Sequence, residues 1–165
     1  MKQSKLAHWV LLWIAALSLA AAATSGATFA ESSKMPYTFE FNTFYDNQNT
    51  SVASYELLSG NTVVLKKTSA ETGGDGLRSE SIFQWKPRPT MLSIEWSDLS
   101  NGKKYKDKID LGALPSDISM QTLFVEPKGA HISIYLISRD LRPDNIPPVG
   151  PPELGMHIVK QIYSN

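Results

Sequence analysis

The sequence predicts an all-β domain, an antiparallel two-sheet β-sandwich of immunoglobulin-like or transthyretin-like layout, after a cleaved N-terminal signal helix. Three observations predict it. Beyond residue 30 the chain runs in short stretches of alternating apolar and polar residues, the period of a half-buried strand. Turn residues recur about every eight to twelve positions, the spacing of a sandwich. No stretch holds the apolar spacing of a long helix, so nothing supplies the crossovers of a parallel sheet.

The leader comes first. Lys2 and Lys5 precede the apolar run 6–23, and small residues lead up to Thr28-Phe29-Ala30. A basic start, an apolar middle and a small-x-small end make a secretory signal peptide, with cleavage expected before Glu31. The competing reading is a membrane anchor, since eighteen apolar residues reach the lower limit of a span. The small-residue tail and the lack of a charged stop favour cleavage. Residues 31–165 then form one domain of 135 residues without any Cys, so its core must hold it together with no disulfide. The expected location is the periplasm.

Residues 37–41, Tyr-Thr-Phe-Glu-Phe, alternate as a strand, and 46–49 are turn chemistry. Runs 52–58 and 62–67, joined by Ser59-Gly60-Asn61, read as a hairpin. Residues 68–76 show no period and form a loop. A strand is expected over 79–84, ending where Lys86-Pro87-Arg88-Pro89 removes ladder donors. Run 91–96 puts Leu92, Ile94 and Trp96 on one face, and Ser100-Asn101-Gly102 turns it into run 104–111. Residues 114–117 make a corner with a single helical turn after it. Runs 120–125 and 131–138 are joined at Glu126-Pro127-Lys128-Gly129, five prolines make 142–152 an extended arm, and 156–163 closes the sheet.

Charge and motif content narrow the function. The leader carries two of the 16 basic residues, leaving 14 against 16 acidic and a net charge of −2. Nucleic acid is thereby disfavoured, because phosphate binding needs a clustered basic excess. The one dense basic run, Lys103 to Lys108, is broken by Asp107 and reads as a lysine-guarded edge strand. Gly73-Gly74-Asp75-Gly76 lacks the Lys-Ser/Thr of a phosphate loop and opens no helix. His131 and His157 stand in no ligand-spaced cluster, so neither a metal nor another cofactor is expected. No G-x-S-x-G elbow is present, and Ser133, His131 and Asp140 make a triad only on paper. Asp107 and Asp110, three apart on a strand, face opposite sides. An enzyme is not expected.

The stretch "GGDGLRSESIFQWKPRPTMLSIEW" carries a resemblance. A glycine loop (Gly73-Gly74), a W-x-P segment (Trp85-Lys86-Pro87) and a strand ending in Trp (Leu92 to Trp96) resemble families of small periplasmic proteins and lipoproteins of Gram-negative bacteria. "KKYKDKIDLGALPSDI" and "GAHISIYLISRDL" are similar to their downstream strands. Such families include immunity proteins that bind phospholipase effectors of type VI secretion. Members often carry a lipobox Cys, and this chain has none, so membrane anchoring does not carry over. The resemblance implies toxin inhibition by occlusion of an effector's active site. Residue type and loop position nominate Glu71, Asp75, Arg78, Trp85, Arg88, Arg139 and Arg142 as partner-binding, with Trp85 and Arg88 as anchors and Glu71 and Asp75 as steering charges. The alternative is a structural or accessory subunit of a cell-envelope secretion or pilus assembly, and a third reading is a small-ligand carrier.

Overall fold

A computed structural model describes residues 33–44, 49–74 and 76–165. The expected signal peptide, Asp75 and most of the turn at 46–49 lie outside the described residues. Nine strands build the domain: β1 (Lys34–Asn42), β2 (Thr50–Ser59), β3 (Thr62–Lys67), β4 (Ser79–Pro87), β5 (Met91–Asp98), β6 (Lys104–Asp110), β7 (Thr122–Lys128), β8 (His131–Leu141) and β9 (His157–Ser164). They form two layers, β4-β1-β7-β8-β9 and β3-β2-β5-β6. Every pair is antiparallel except β1 with β7, which run parallel. The immunoglobulin layout pairs its first two strands in one sheet. Here β1 and β2 lie in different sheets, so the strand order is not the immunoglobulin one.

Alternation places the core where the sequence puts it. Tyr37, Phe39 and Phe41 of β1 face Leu92, Ile94 and Trp96 of β5, all buried between the layers. The β2 pattern breaks period two because its pairing with β5 skips from Val52 to Ser54. This bulge absorbs Ala53 and lets Val52, Tyr55 and Leu57 all point inward. Tyr55 then meets Phe39 and Phe41 at ring-centroid distances of 4.9 and 6.0 Å, the second edge-on. Hydrogen bonds tie the layers at one end: Trp96 Nε1 donates to Gly129 O at 2.8 Å, and Thr50 Oγ1 to Pro127 O at 2.8 Å. The two flanks are closed by polar pairs. Lys67 Nζ meets Glu80 Oε1 at 2.5 Å between β3 and β4, and Tyr163 donates to Asp107 at 3.2 Å between β9 and β6.

Several expectations need correction. β4 does not end at Gln84 but runs on to Pro87. Thr43 N donates to Arg78 O at 2.7 Å, and the β1–β4 register continues from there without a shift. The backbone groups of Glu80, Ile82, Gln84 and Lys86 therefore face β1, while those of Ser81, Phe83 and Trp85 and the nitrogen of Pro87 face away, the Pro87 carbonyl accepting the Tyr37 hydroxyl at 3.4 Å. Pro87 costs the ladder nothing because its missing N–H falls on the open side. Glu126, Pro127 and Lys128 belong to β7, and the turn is the pair Gly129-Ala130. Pro127 lies two residues past Val125, the last β7 residue paired with β1. No helical turn follows Asp117; its carboxylate instead accepts Ser119 N at 2.7 Å. Met120 stands at φ +61, outside the strand that begins at Thr122.

The proline arm is more than a connection. It crosses the outer face of the first sheet, where Val149 and Leu154 pack with Phe124, Tyr135, Ile137 and Val159 into a second small core. That sheet is thus covered on both faces along β7 and β8, where one polar face was expected. Arg142 holds the arm closed: its Nε donates to Gly155 O at 2.7 Å, and its Nη1 to Ile146 O.

The 68–78 connection is ordered by local chemistry. Thr68 donates its amide and hydroxyl to Glu71 Oε2 at 2.6 and 2.7 Å, the backward half of a capping box around one tight turn. Gly76 sits at φ +78, and an added Cβ would stand 2.9 Å from Val52 O. Gly76→Ala is expected to cost more than about 1 kcal/mol, since neither the left-handed backbone nor the contact relaxes cheaply. Thermal unfolding checks it, with Gly73→Ala as comparison: that site is equally left-handed but has nothing within 4 Å.

Candidate partner-binding surface

The described sheets have four edges: β4 and β9 in one layer, β3 and β6 in the other. An open edge is a template for a further strand, and proteins guard edges with charge, above all lysine. β6 carries Lys104, Lys106 and Lys108 on its outward face, as the sequence led us to expect. β3 ends in Lys66-Lys67, and β9 has the exposed Lys160 at its middle. β4 differs. Its one charge before Lys86 is Glu80, which points inward and is taken by Lys67 and by the Tyr55 hydroxyl, the latter at 2.5 Å.

Beside Ser79, Ser81 and Lys86, β4 shows two aromatic rings to solvent. Ile82 and Gln84 turn toward the interior, while Phe83 and Trp85 stand on the outer face at 52% and 64% exposure. Register sets them opposite Thr38 and Pro36 of β1, so they continue the outer surface of the sheet. Burying such rings against water is worth roughly 1.5–3 kcal/mol each, which makes this pair the natural anchor for a partner.

The nominated residues do not converge. Glu71 and Arg78 lie at the end of the sandwich that carries the β1–β2, β3–β4, β5–β6 and β7–β8 connections. Trp85 and Arg88 lie toward the opposite end, where Arg142 opens the arm. No single loop cluster unites them. The exposed Glu71 carboxylate is held below the usual range first by the Thr68 hydroxyl and amide, so its charge serves the turn. Arg78 lies 4.2 Å over the Phe44 ring. Arg88 donates to Leu114 O at 2.9 Å and fixes the β6–β7 connection, as Arg142 fixes the arm. Arg139 is exposed. Phe83 was missed by sequence reasoning. Its signal was present, an aromatic in phase with Trp85 on the strand's otherwise polar side.

The other constellations singled out from the sequence are not assembled among the described residues. His131 and His157 sit at opposite ends of the β8–β9 pair, and His131 Nδ1 lies 3.0 Å from Asn165 O. Asp140 is bonded to Ser138, and Ser133 to Ser164, so the paper triad is not assembled. Asp107 faces inward and Asp110 outward. Among the described residues no three His, Asp or Glu side chains gather as a metal site. A shallow depression of about 250 Å³ on the outer face of the second sheet is lined by Lys66, Glu56, Lys106 and Glu95. Its charges are already matched, at 3.0 Å for Lys66–Glu56 and 2.6 Å for Lys106–Glu95. Among the described residues no helix is long and apolar enough to cross a membrane. No family model, curated protein or solved structure matches the chain.

Proposed function

We propose that this chain is a non-enzymatic protein-binding module of the periplasm that neutralises its partner by covering it. The observation that carries the reading is the Phe83–Trp85 pair, exposed on the outer face of a two-layer sandwich. A preformed scaffold limits the ordering cost of association, so two aromatic anchors suffice to nucleate a docking face. The sequence resemblance points to a phospholipase effector as that partner, whose cleft the module would occlude. The test is co-expression with the products of adjacent toxin genes, affinity purification and a lipase assay. A stable complex and lost lipase activity are expected, with Trp85→Ala weakening binding by at least about 30-fold, the effect of an interface hot spot. Failure to bind any adjacent toxin would sink the effector assignment. The open hydrogen-bonding edge of β4 favours one second reading, an accessory subunit of an envelope assembly joined by strand addition. Open-ended polymers in solution would select that reading over a discrete complex.

A further inference from the structure

We propose that β4 is a self-complementary edge, and that two copies of this chain pair β4 against β4, antiparallel about Phe83, to form one continuous sheet. The inference concerns the backbone edge and stands apart from the effector reading, which uses the outer face. Two observations lead to it. Among the described residues β4 pairs with β1 alone. The phase fixed by the Thr43–Arg78 hydrogen bond turns the N–H and C=O groups of Ser81, Phe83 and Trp85 toward the open side. These are the groups a new antiparallel strand would engage.

The second copy fits that row position by position. With Phe83 on the two-fold axis, Phe83 opposes itself and Ser81 opposes Trp85, each as a hydrogen-bonded pair. Pro87 then falls opposite Ser79, so the residue without a donor marks the end of the pairing. On the inward side Glu80 comes opposite Lys86, and Ile82 opposite Gln84. No like charges meet, whereas β6 paired with itself would bring lysines together. On the outer face the two Phe83 rings become neighbours, with a Trp85 beyond each. A two-fold pairing consumes both β4 edges, so it closes as a dimer and does not polymerise through them.

The chain has no native Cys, which makes a register test clean. Hydrogen-bonded residues opposite one another lie about 5.5 Å apart at Cα, within disulfide reach. Phe83→Cys is expected to give a covalent dimer under mild oxidation. Ser81→Cys is expected to stay monomeric on denaturing gels, because its copies sit four positions out of register. Sedimentation velocity of the wild-type chain should show a concentration-dependent dimer. Phe83→Lys, which sets two ammonium groups opposite each other, should raise its dissociation constant more than about tenfold. Ser81→Pro should do the same by deleting an edge donor while leaving the β1 ladder whole, with native circular dichroism as the folding control. A wild-type monomer at all concentrations overturns the proposal. So does equal cross-linking of the two Cys variants, or a monomer whose β4 edge accepts only a foreign extended peptide.

Discussion

Trp96→Ala is expected to destabilise the domain by about 3–5 kcal/mol, the range for deleting a large buried aromatic. The indole is 2% exposed in the C-terminal half of β5 and stacks on Tyr105 at 5.6 Å between ring centroids. Its Nε1 also reaches across the layers to Gly129 O, so truncation empties a large volume and removes a tie between the layers. In urea the unfolding midpoint should fall by roughly 2 M with an unchanged slope, since the surface exposed on unfolding barely alters. Trp96→Phe separates the two contributions. It keeps most of the packing and deletes the donor, so a loss near 1 kcal/mol would assign the main effect to packing. A loss as large as that of the Ala variant would show that the tie between layers dominates. Near-wild-type stability of Trp96→Ala would mean that the core is not organised around this ring.

Much of the fold was legible because period-two alternation survives wherever one face of a strand is buried. Leu92, Ile94 and Trp96 announce their face without help, and so do Phe39 and Phe41. The β6 lysines announce an edge for the same local reason. Sequence failed where the cause is tertiary. Pro87 looks like a strand terminator until the phase of β4 against β1 turns its nitrogen to the open side. Phe124, Tyr135 and Ile137 stand on the outer face of their sheet, and only the distant residues Val149 and Leu154 explain why they are buried. The parallel β1–β7 pair joins strands some eighty positions apart, and nothing local encodes it.

The candidate surface divides along the same line. Trp85 was legible by type, because an aromatic beside two prolines has little to pack on. Arg88 and Arg142 have the composition of interface anchors, yet each spends its guanidinium on backbone carbonyls of its own chain. Arginine serves both ends with the same fork of donors, so residue type alone does not separate them. Thr68 and Glu71 spell a cap in a segment without period, a signal that alternation-based reading passes over.

The second large effect is alkaline. Tyr37 lies wholly buried beneath β4, and burial pushes its phenol from 10.0 up to about 12, partly offset by a hydrogen bond with Gln84. Tyr55 is raised as well, first by burial and then by donating its proton to the Glu80 carboxylate; Tyr135 is raised by burial and by Glu126. The sign follows from linkage. In the unfolded chain these phenols ionise near 10, while the folded domain keeps them protonated to higher pH. Between those values the unfolded state binds fewer protons, so stability falls as pH rises. The contribution is fully present below about pH 10 and is lost through the window that ends near pH 12 for Tyr37. The urea midpoint should therefore stay flat from about pH 8 to 10 and then drop, with phenolate absorbance at the buried tyrosines appearing only as the chain unfolds. Tyr37→Phe should flatten that drop, because a ring without a proton to lose has no linkage. A midpoint that holds steady to pH 12, or absorbance that rises fully near pH 10 while the fold persists, would place these hydroxyls in contact with water and overturn the inter-sheet arrangement described for them.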